Sequence, residues 1–408
     1  MDTVPRQGSN RVAALPAQPT LPTLPTLPTL PKQPSWDIPS PFIFDGPVSP
    51  DKLIGRQAEC DTLRAWIRAG RFTALVAPRR FGKTSLIGKL ADETERKDKI
   101  PTIVVDLYDV ASLADLVIRL ERAWAAHAPH RLRSAIAETF AGAQVGVNVV
   151  GSGFTMRLAE RPDTDPLPAL HTLLDLPAKV AAKNRRVLIV LDEFQGLAGV
   201  RGAEAIIRSH AQHQRQTASY LFCGSQPGMV AAAFEDRARP FYGQVQTFVL
   251  SRLDEAALRE YLLDNFALSR RDISAVLPDI IAAGECHPQR AMLLAHLLFQ
   301  QVGPGQTATT ENLRTALDAA MDLMDPEARS VLSGLDFGSR KTLRAIAEYG
   351  TPMSVRAGRT LDLPKTTAAD AASRLVKLGI VERPSSGGWR LVDPLLARWL
   401  RERYGTRF

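Results

Sequence analysis

A nine-residue segment, Ala77–Ser85, constrains the fold of this chain more than any other feature. It reads Ala-Pro-Arg-Arg-Phe-Gly-Lys-Thr-Ser and fits the phosphate-binding pattern GxxxxGK followed by Ser or Thr, except that alanine replaces the first glycine. Residues 72–76 before it predict a strand, and the pattern from Lys83 to Leu90 predicts a helix. The segment therefore predicts a strand–loop–helix unit that holds the phosphates of a nucleoside triphosphate at the positive end of a helix.

The loop residues have distinct predicted roles. Gly82 lets the backbone approach the phosphates closely, Lys83 reaches the β and γ oxygens, and Thr84 binds Mg²⁺. ATP with Mg²⁺ is therefore the predicted cofactor. The full set of predicted nucleotide-binding loop residues is Pro78, Arg79, Arg80, Phe81, Gly82, Lys83, Thr84 and Ser85.

A second motif follows about 105 residues further along the chain. Residues 187–191 form the strongest strand pattern of the sequence and lead into Asp192 and Glu193. Asp192 is placed to hold Mg²⁺ through water, and Glu193 to polarise the water that attacks the γ-phosphate. Alone, an Asp-Glu pair could be a simple strand-end turn. Together with the phosphate loop it predicts slow ATP hydrolysis, with Lys83, Asp192 and Glu193 as catalytic residues.

One more polar residue is predicted at the same edge of the sheet. The short strand Tyr220–Cys223 runs into Gly224 and Ser225. A hydroxyl at the carboxyl end of a neighbouring parallel strand can reach the γ-phosphate. Ser225 is therefore a candidate sensor of the phosphate, and a helix N-cap or turn serine is the alternative interpretation.

The order of elements predicts the fold class. Strands at residues 102–106 and 246–250 and helices at 112–126 and 166–182 alternate with those already named, while residues 144–158 resemble a Gly-rich hairpin. This order indicates an α/β protein with the doubly wound parallel sheet of a P-loop NTPase. Helices at 255–265, 272–283 and 289–301 predict a helical lid. Three short helices and a hairpin after residue 340 predict a winged-helix domain.

The first forty residues have a different composition. Twelve of the 29 prolines lie in the first 50 residues, and residues 21–31 repeat Leu-Pro-Thr. Proline removes backbone donors, so this stretch is predicted to be a disordered, locally polyproline tail. It is a spacer or, through a row of leucines, a ligand for a protein partner. The predicted units are thus 1–40 (tail), 41–252 (ATPase core), 253–330 (lid) and 331–408 (winged helix).

Composition adds limits on the environment of the protein. No run of about 18 apolar residues exists, and the N-terminus lacks the pattern of a secretion signal, so we expect a cytoplasmic protein without membrane contact. Cys60, Cys223 and Cys286 are interpreted as buried thiols. Residues 331–408 carry 14 basic and 7 acidic groups out of totals of 51 and 43. This segment is where an acidic partner such as DNA would be attracted.

Taken in order, these motifs resemble one known family. The chain resembles the archaeal-type P-loop ATPases of the STAND class, in an MNS-like clade related to the AAA+ proteins. The resemblance runs from about residue 40 to the C-terminus. The residues that carry it are 40–42 and 54–59, the loop at 78–85, Asp192-Glu193-Phe194-Gln195, Gly224-Ser225, residues 240–243 and 284–288, Asp393-Pro394 and Trp399.

The resemblance implies further site residues. Gly55 and Arg56 would lie near the adenine and ribose, and His287 and Pro288 would close the lid over the nucleotide. The family often has an arginine where this chain has Gln244, which leaves the source of an arginine finger open. The remaining candidates for a positive charge are Arg237, Arg239 and Arg290, each with a surface role as the alternative.

Three functions remain open from the sequence. The first is a nucleotide-driven conformational switch, and the second is an ATP-regulated protein that binds DNA non-specifically. Lys365, Arg374 and Lys377 on the predicted recognition helix, residues 364–378, support the second. The third is a scaffold that binds ATP without hydrolysing it and recruits partners through the tail or winged helix. A homo-oligomer is compatible with each of them.

Overall fold

The computed structural model describes residues 39–128, 136, 146–150, 153–157, 165–181, 186–225, 228, 233–234, 236–384 and 387–404. The predicted proline-rich tail up to residue 38 lies outside the described residues. No helix within these ranges combines the length and apolar character that crossing a membrane requires.

A five-stranded parallel sheet forms the centre of the described chain, in the spatial order β2-β5-β6-β1-β7. Its strands are β1 (Thr73–Val76), β2 (Thr102–Asp106), β5 (Val187–Asp192), β6 (Ala218–Gly224) and β7 (Gln246–Val249). All residues of β1 and β6 are buried, as expected for strands covered on both faces by helices. The predicted P-loop NTPase fold class is confirmed.

The register places the functional segments at one edge of this sheet. Val76 at the end of β1 lies beside Gly224 of β6, and Leu191 of β5 lies beside Phe222. The loops that follow these three strands therefore leave the sheet side by side at their carboxyl ends. Because β6 lies between β1 and β5, Ser225 is positioned between the phosphate loop and Glu193.

Helices cover both faces of the sheet, and two separate apolar clusters form there. These helices are α1 (Gln57–Arg68), α2 (Lys83–Asp98), α3 (Leu113–His127), α4 (Leu167–Val180) and α5 (Ala203–Ala211). The predicted hairpin is present as antiparallel strands β3 (Gly146–Val150) and β4 (Gly153–Arg157). Residues 151–152 of its predicted turn lie outside the described residues.

The rest of the described chain is mainly helical. The helices are α6 (Glu255–Leu268), α7 (Leu277–Gly284), α8 (Pro288–Gln301), α9 (Thr310–Ser333), α10 (Phe337–Tyr349), α11 (Val355–Thr360), α12 (Lys365–Lys377) and α13 (Pro394–Trp399). The two-residue strands β8 (Val381–Glu382) and β9 (Arg390–Leu391) pair in antiparallel fashion. Helices α10 to α12 and this pair follow the order of elements predicted for a winged helix.

Two features of the helical region differ from the sequence prediction. The helix predicted from residue 272 begins at Leu277, because Asp272 instead exchanges backbone hydrogen bonds with Gln306 and Ala308. The 24-residue helix α9 was not predicted, although Thr309 and Asn312 form a capping box at its start. Helix α9 runs through the predicted boundary at residue 330, and one apolar cluster extends from α6 to α13.

Candidate functional site

The predicted phosphate loop turns sharply at two residues before α2. Gly82 adopts a left-handed conformation with φ of 83° at the start of α2, and a Cβ built on it would meet no atom within 4 Å. Arg80 is also left-handed, with φ of 69°. These turns leave an open space in front of the α2 N-terminus, where backbone N–H groups are available to an anion.

Lys83 connects this loop to the carboxylates that follow β5. Its side chain is 7% exposed, and its ammonium donates hydrogen bonds to Asp192 Oδ1 and, over 2.9 Å, to Glu193 Oε1. Lys83 and Asp192 are 109 residues apart in sequence, and the sheet order brings them into contact. The ammonium lies between two carboxylates and offsets part of their mutual repulsion.

Glu193 accepts hydrogen bonds from three residues. Its φ of 53° turns the chain at the end of β5. Oε2 accepts from the Ser225 hydroxyl at 2.8 Å, from the Ser225 backbone N–H at 3.3 Å and from the Gln195 amide. With Lys83 on Oε1, four donors occupy a carboxylate that has about four acceptor positions. The predicted catalytic glutamate and the predicted sensor serine are thus in direct contact.

These contacts control the protonation of Glu193. Burial favours its neutral form, but the hydrogen bond and charge of Lys83, assisted by Ser225 and Gln195, outweigh burial and lower the pKa below its ordinary value. For Lys83, burial is again the largest effect and disfavours the charge, yet Asp192 and Glu193 raise its pKa. Both groups are therefore charged at neutral pH.

A cavity of about 700 Å³ lies in front of this site. The phosphate loop, Tyr108, Glu193 and Ser225 line one part of it. Its remaining walls come from the segment of residues 41–54, which we call the strap, and from helices α6 and α8. The cavity volume suits a nucleotide-sized ligand.

Apart from Pro288, neither the strap nor the cavity-lining residues of α6 and α8 were predicted to belong to the site. Val48 of the strap donates its backbone N–H to Ser85 Oγ over 3.0 Å, which holds the strap across the start of α2. Tyr261, Gln289 and Met292 line the cavity from the lid. Their spacing in sequence carried no motif, so only the fold could identify them.

The residues implied near adenine have clear structural positions. Arg56 lines the cavity but is 2% exposed, and its guanidinium donates to Glu59 at 2.8 Å and to the Ser251 carbonyl at 2.7 Å. Gly55 has φ of 56°, and a Cβ there would lie 2.9 Å from the Cβ of Ala257. Gly55 therefore packs the start of α1 against α6, and Arg56 joins it to the segment after β7.

The two lid residues divide between two cavities. Pro288 lines the large cavity, whereas His287 lines a neighbouring one of about 370 Å³ between the phosphate loop and the C-terminal elements. The His287 ring contacts Phe81 of the loop, with centroids 4.8 Å apart. Its Nδ1 accepts from the Arg290 backbone N–H, which caps α8. His287 thus joins the lid to the phosphate loop.

The candidate arginines have different surroundings. Arg290 is buried and pairs with Asp393 and, at 3.0 Å, with Glu327. Arg239 pairs with Glu204 at 3.2 Å, and Arg237 is exposed. The arrangement therefore separates one arginine inside the lid from two on the surface of the core.

The donor set fits Mg²⁺ with a nucleotide. Thr84 lines the cavity, and Asp192 and Glu193 contribute carboxylate oxygens, the ligand type that Mg²⁺ prefers. Among the described residues no group of three or more His, Cys, Asp or Glu side chains is arranged to hold a metal by itself.

Comparisons with known proteins identify the fold. No protein-family model matches the chain, and no curated protein does. A Walker-type ATPase of Pyrococcus abyssi has a similar structure, with a TM-score of 0.64 and 17% identity, over 88% of this chain and 99% of that one. The ADP form of the Aeropyrum pernix ORC2 protein has a TM-score of 0.49 and 15% identity, over 88% and 95%. The first of these likenesses shows that the chain has the fold of a P-loop, Walker-type ATPase.

Proposed function

We propose that the protein is an ATPase that binds Mg·ATP at Ala77–Ser85, hydrolyses it slowly and acts as a nucleotide-dependent conformational switch. The observation that carries this proposal is the contact of Lys83 with Asp192 and Glu193 at the mouth of the 700 Å³ cavity. Membership of the STAND class, in an MNS-like clade with a C-terminal winged helix, is part of the proposal.

The residues support a division of labour in hydrolysis. Lys83 would exchange its carboxylate partners for phosphate oxygens, and the bound Mg²⁺, held through Thr84 and Asp192, would neutralise phosphate charge. Glu193 would then be free to orient and polarise water. In the described arrangement Ser225 and Gln195 occupy Glu193 Oε2. Because these bonds must rearrange before water can bind there, they support a low turnover.

Ion pairs between the phosphate loop and the C-terminal elements support the switch. Arg80 of the loop pairs with Glu327 of α9, and Glu327 also binds Arg290 of α8. Arg290 also pairs with Asp393, whose carboxylate caps α13 by accepting hydrogen bonds from the backbone N–H groups of Leu395 and Leu396. A γ-phosphate near the loop would compete with Glu327 for Arg80. Nucleotide binding is therefore proposed to loosen α9 and α13 from the loop.

A second set of contacts joins the segment after β7 to the β8–β9 pair. Arg252, which follows β7, donates to Glu382 at 3.0 Å and to the Val392 carbonyl at 2.9 Å. Gly228 lies against the backbone of Lys377, where an added Cβ would be 2.7 Å from Cα. These contacts favour a mainly intramolecular role for the C-terminal elements over DNA binding.

Two variants test the ATPase proposal. Lys83→Ala should lose most of the affinity for Mg·ATP in calorimetry. Without the ammonium, the loop offers only the dipoles of its backbone N–H groups to the phosphates. Glu193→Gln should keep binding and lower hydrolysis by roughly 100-fold or more. Parental affinity in Lys83→Ala would contradict the assignment of the loop. Unchanged turnover in Glu193→Gln would remove Glu193 from the chemistry.

A further inference from the structure

The amino ends of the parallel strands form the edge of the sheet opposite to the phosphate loop. Three arginines lie at this edge: Arg71 shortly before β1, Arg186 directly before β5 and Arg215 shortly before β6. Because β6 lies between β5 and β1, the three arginines precede three neighbouring strands. We call them the arginine row. Arg71 and Arg215 are exposed, and Arg186 is partly exposed.

Each arginine of the row reaches toward the start of the next strand. Arg186 donates a hydrogen bond to the backbone carbonyl of Arg215. The guanidinium carbon of Arg215 lies 4.7 Å from the ring centroid of Phe72, which precedes β1. Arg71 donates to Oε1 of Gln246, the first residue of β7, over 2.7 Å. Since neighbouring strands lie about 4.8 Å apart, the guanidinium groups follow one another across the edge at roughly that interval.

The charges of the row have no acidic partner. The groups that hold them, a carbonyl, a ring and an amide, are all neutral. Within the described part of the chain, none of the three arginines forms an ion pair with an aspartate or glutamate. Five segments precede the five strands, and none contains an acidic residue: 69–72, 99–101, 182–186, 212–217 and 244–246. Positive charges at this interval repel one another, so an anion that spans them would be stabilised.

The size and chemistry of the row fit carboxylates on a peptide. A guanidinium binds a carboxylate through two parallel hydrogen bonds. Three groups at strand intervals cover about 10 Å. An extended chain advances about 3.3 Å per residue, so roughly four residues rich in aspartate or glutamate cover the row.

A nucleic acid fits the same surface less well. Proteins that bind a duplex through its backbone contact about six to ten phosphates, which requires an extended basic surface. Residues 51–330 carry 34 basic and 33 acidic groups, so the core has little excess charge beyond the row. The ring beside Arg215, that of Phe72, is 2% exposed and offers no face on which a base could stack.

We propose that the arginine row is a docking surface for an acidic segment of a partner protein. The three guanidinium groups bind carboxylates of that segment, and the neutral contacts hold them in place before the partner arrives. The proposal is independent of the nucleotide-binding function, because the row lies at the opposite edge of the sheet from the phosphate loop.

The test uses a fluorescently labelled peptide of about ten glutamates and the full chain, at about 50 mM salt so that screening is weak. Fluorescence anisotropy compares the parent with the triple variant Arg71→Gln, Arg186→Gln and Arg215→Gln. The matched control is Lys365→Gln, Arg374→Gln and Lys377→Gln, which removes three exposed basic residues of α12 and changes the net charge equally. Thermal unfolding shows whether each variant is folded.

The parent should bind the peptide, and the row variant should bind it about 10-fold or more weakly. The α12 control should stay within about twofold of the parent. Arg71→Gln alone should show part of the loss. Its side chain is exposed and bonded only to Gln246, so this single variant serves where the triple variant folds poorly.

Three outcomes would overturn the proposal. The parent does not bind the peptide, or the α12 control loses as much affinity as the row variant. In the third, a duplex of about 20 base pairs binds the parent more tightly than the peptide does and loses affinity in the row variant, which assigns the row to nucleic acid. Each outcome leaves the proposed ATPase function intact.

Discussion

At the scale of single residues, Lys83 and His287 show how burial and partners set the charge of the site. The ammonium of Lys83 stays charged inside the fold because two carboxylates surround it. His287 is 2% exposed, and burial, which outweighs the attraction of Asp393, lowers its pKa to about 3. It is therefore neutral at physiological pH and serves as a packing and capping group between the loop and α8.

His287 predicts a pH dependence of stability. An unfolded histidine has a pKa near 6.5, so below that pH the unfolded chain takes up a proton that the folded chain excludes. Stability from this group is full above about pH 6.5 and falls by about 1.4 kcal/mol per pH unit as the pH drops toward 4. Urea unfolding of the parent and of His287→Asn at pH 7, 6 and 5 measures this pH dependence of the free energy of unfolding. Asparagine can still cap α8.

His287→Asn should have a flatter dependence than the parent over this range. His213, which lies on the surface, provides the matched control in His213→Asn, which should keep the parental slope. Identical slopes in the parent and in His287→Asn would contradict the burial of a neutral imidazole.

At the scale of elements, the short 3-10 helix Phe194–Gly199 positions Glu193, the candidate catalytic residue just before it. Gly196 donates its N–H to the Glu193 carbonyl at 2.8 Å, and a Cβ on Gly196 would lie 1.9 Å from the carbonyl oxygen of Leu107. The close approach fixes this helix on the end of β2 and, with it, the direction of Glu193. A glycine is required here by space and not by its backbone angles.

Gly196→Ala should therefore destabilise the protein by about 3 kcal/mol, as expected of overpacking against backbone. It should also lower ATP turnover, since the residues around Glu193 must shift. Gly199→Ala is the matched control in the same helix, because a Cβ there meets no atom within 4 Å. Thermal unfolding and a hydrolysis assay of both variants measure the difference. Equal behaviour of the two variants would show that the contact with Leu107 does not position the helix.

At the scale of the whole described chain, the C-terminal elements are joined to the phosphate loop by charge. Glu327 lies at the centre, with Arg80 on one side and Arg290 on the other. Burial acts against the ionised form of Asp393, but Arg290 outweighs it and lowers the pKa of that carboxyl. The ion pairs therefore persist at neutral pH. They weaken when a competing anion binds one of the arginines, or when acid protonates one of the carboxylates.

Glu327→Gln should loosen this connection. We expect the free energy of local opening of α13 to fall by about 1–2 kcal/mol. The α13 amides of the nucleotide-free protein should then exchange hydrogen about 5- to 30-fold faster. Mg·ATP added to the parent should produce a change in the same direction. Glu311→Gln is the control, because it removes a pair with Arg314 in which both side chains are more than 60% exposed. Parental exchange in Glu327→Gln would argue against the proposed switch.

Whether α12 binds DNA can be decided by the salt dependence of the binding. Lys365, Arg374 and Lys377 are exposed, but Arg374 lies 3.3 Å from Asp336, so we expect at most two phosphate contacts from this helix. A duplex titration should then give a slope of log affinity against log salt no steeper than about −2. A slope of about −4 to −5, lost on charge reversal of these three residues, would support the DNA interpretation.

The sequence by itself determined the fold class, the phosphate loop and the carboxylate pair. Local patterns predict these features, because a few consecutive residues are enough to specify a buried strand, a glycine turn or the start of a helix. The helix predicted from residue 272 was too long, and α9 was missed despite its capping box. At Asp272 a backbone contact with the distant Gln306 decided the structure, whereas the capping box of α9 is a local signal.

Only the tertiary structure decided which distant groups meet. The strand order puts Ser225 between the loop and Glu193. The packing of α8 against the strap places Met292 on the cavity wall and leaves Arg290 paired with Asp393. These pairings join residues far apart in the chain, and their energies depend on burial, which no local pattern specifies. The pattern of the loop is thus local, whereas its ion pairs with the C-terminal elements depend on the assembled fold.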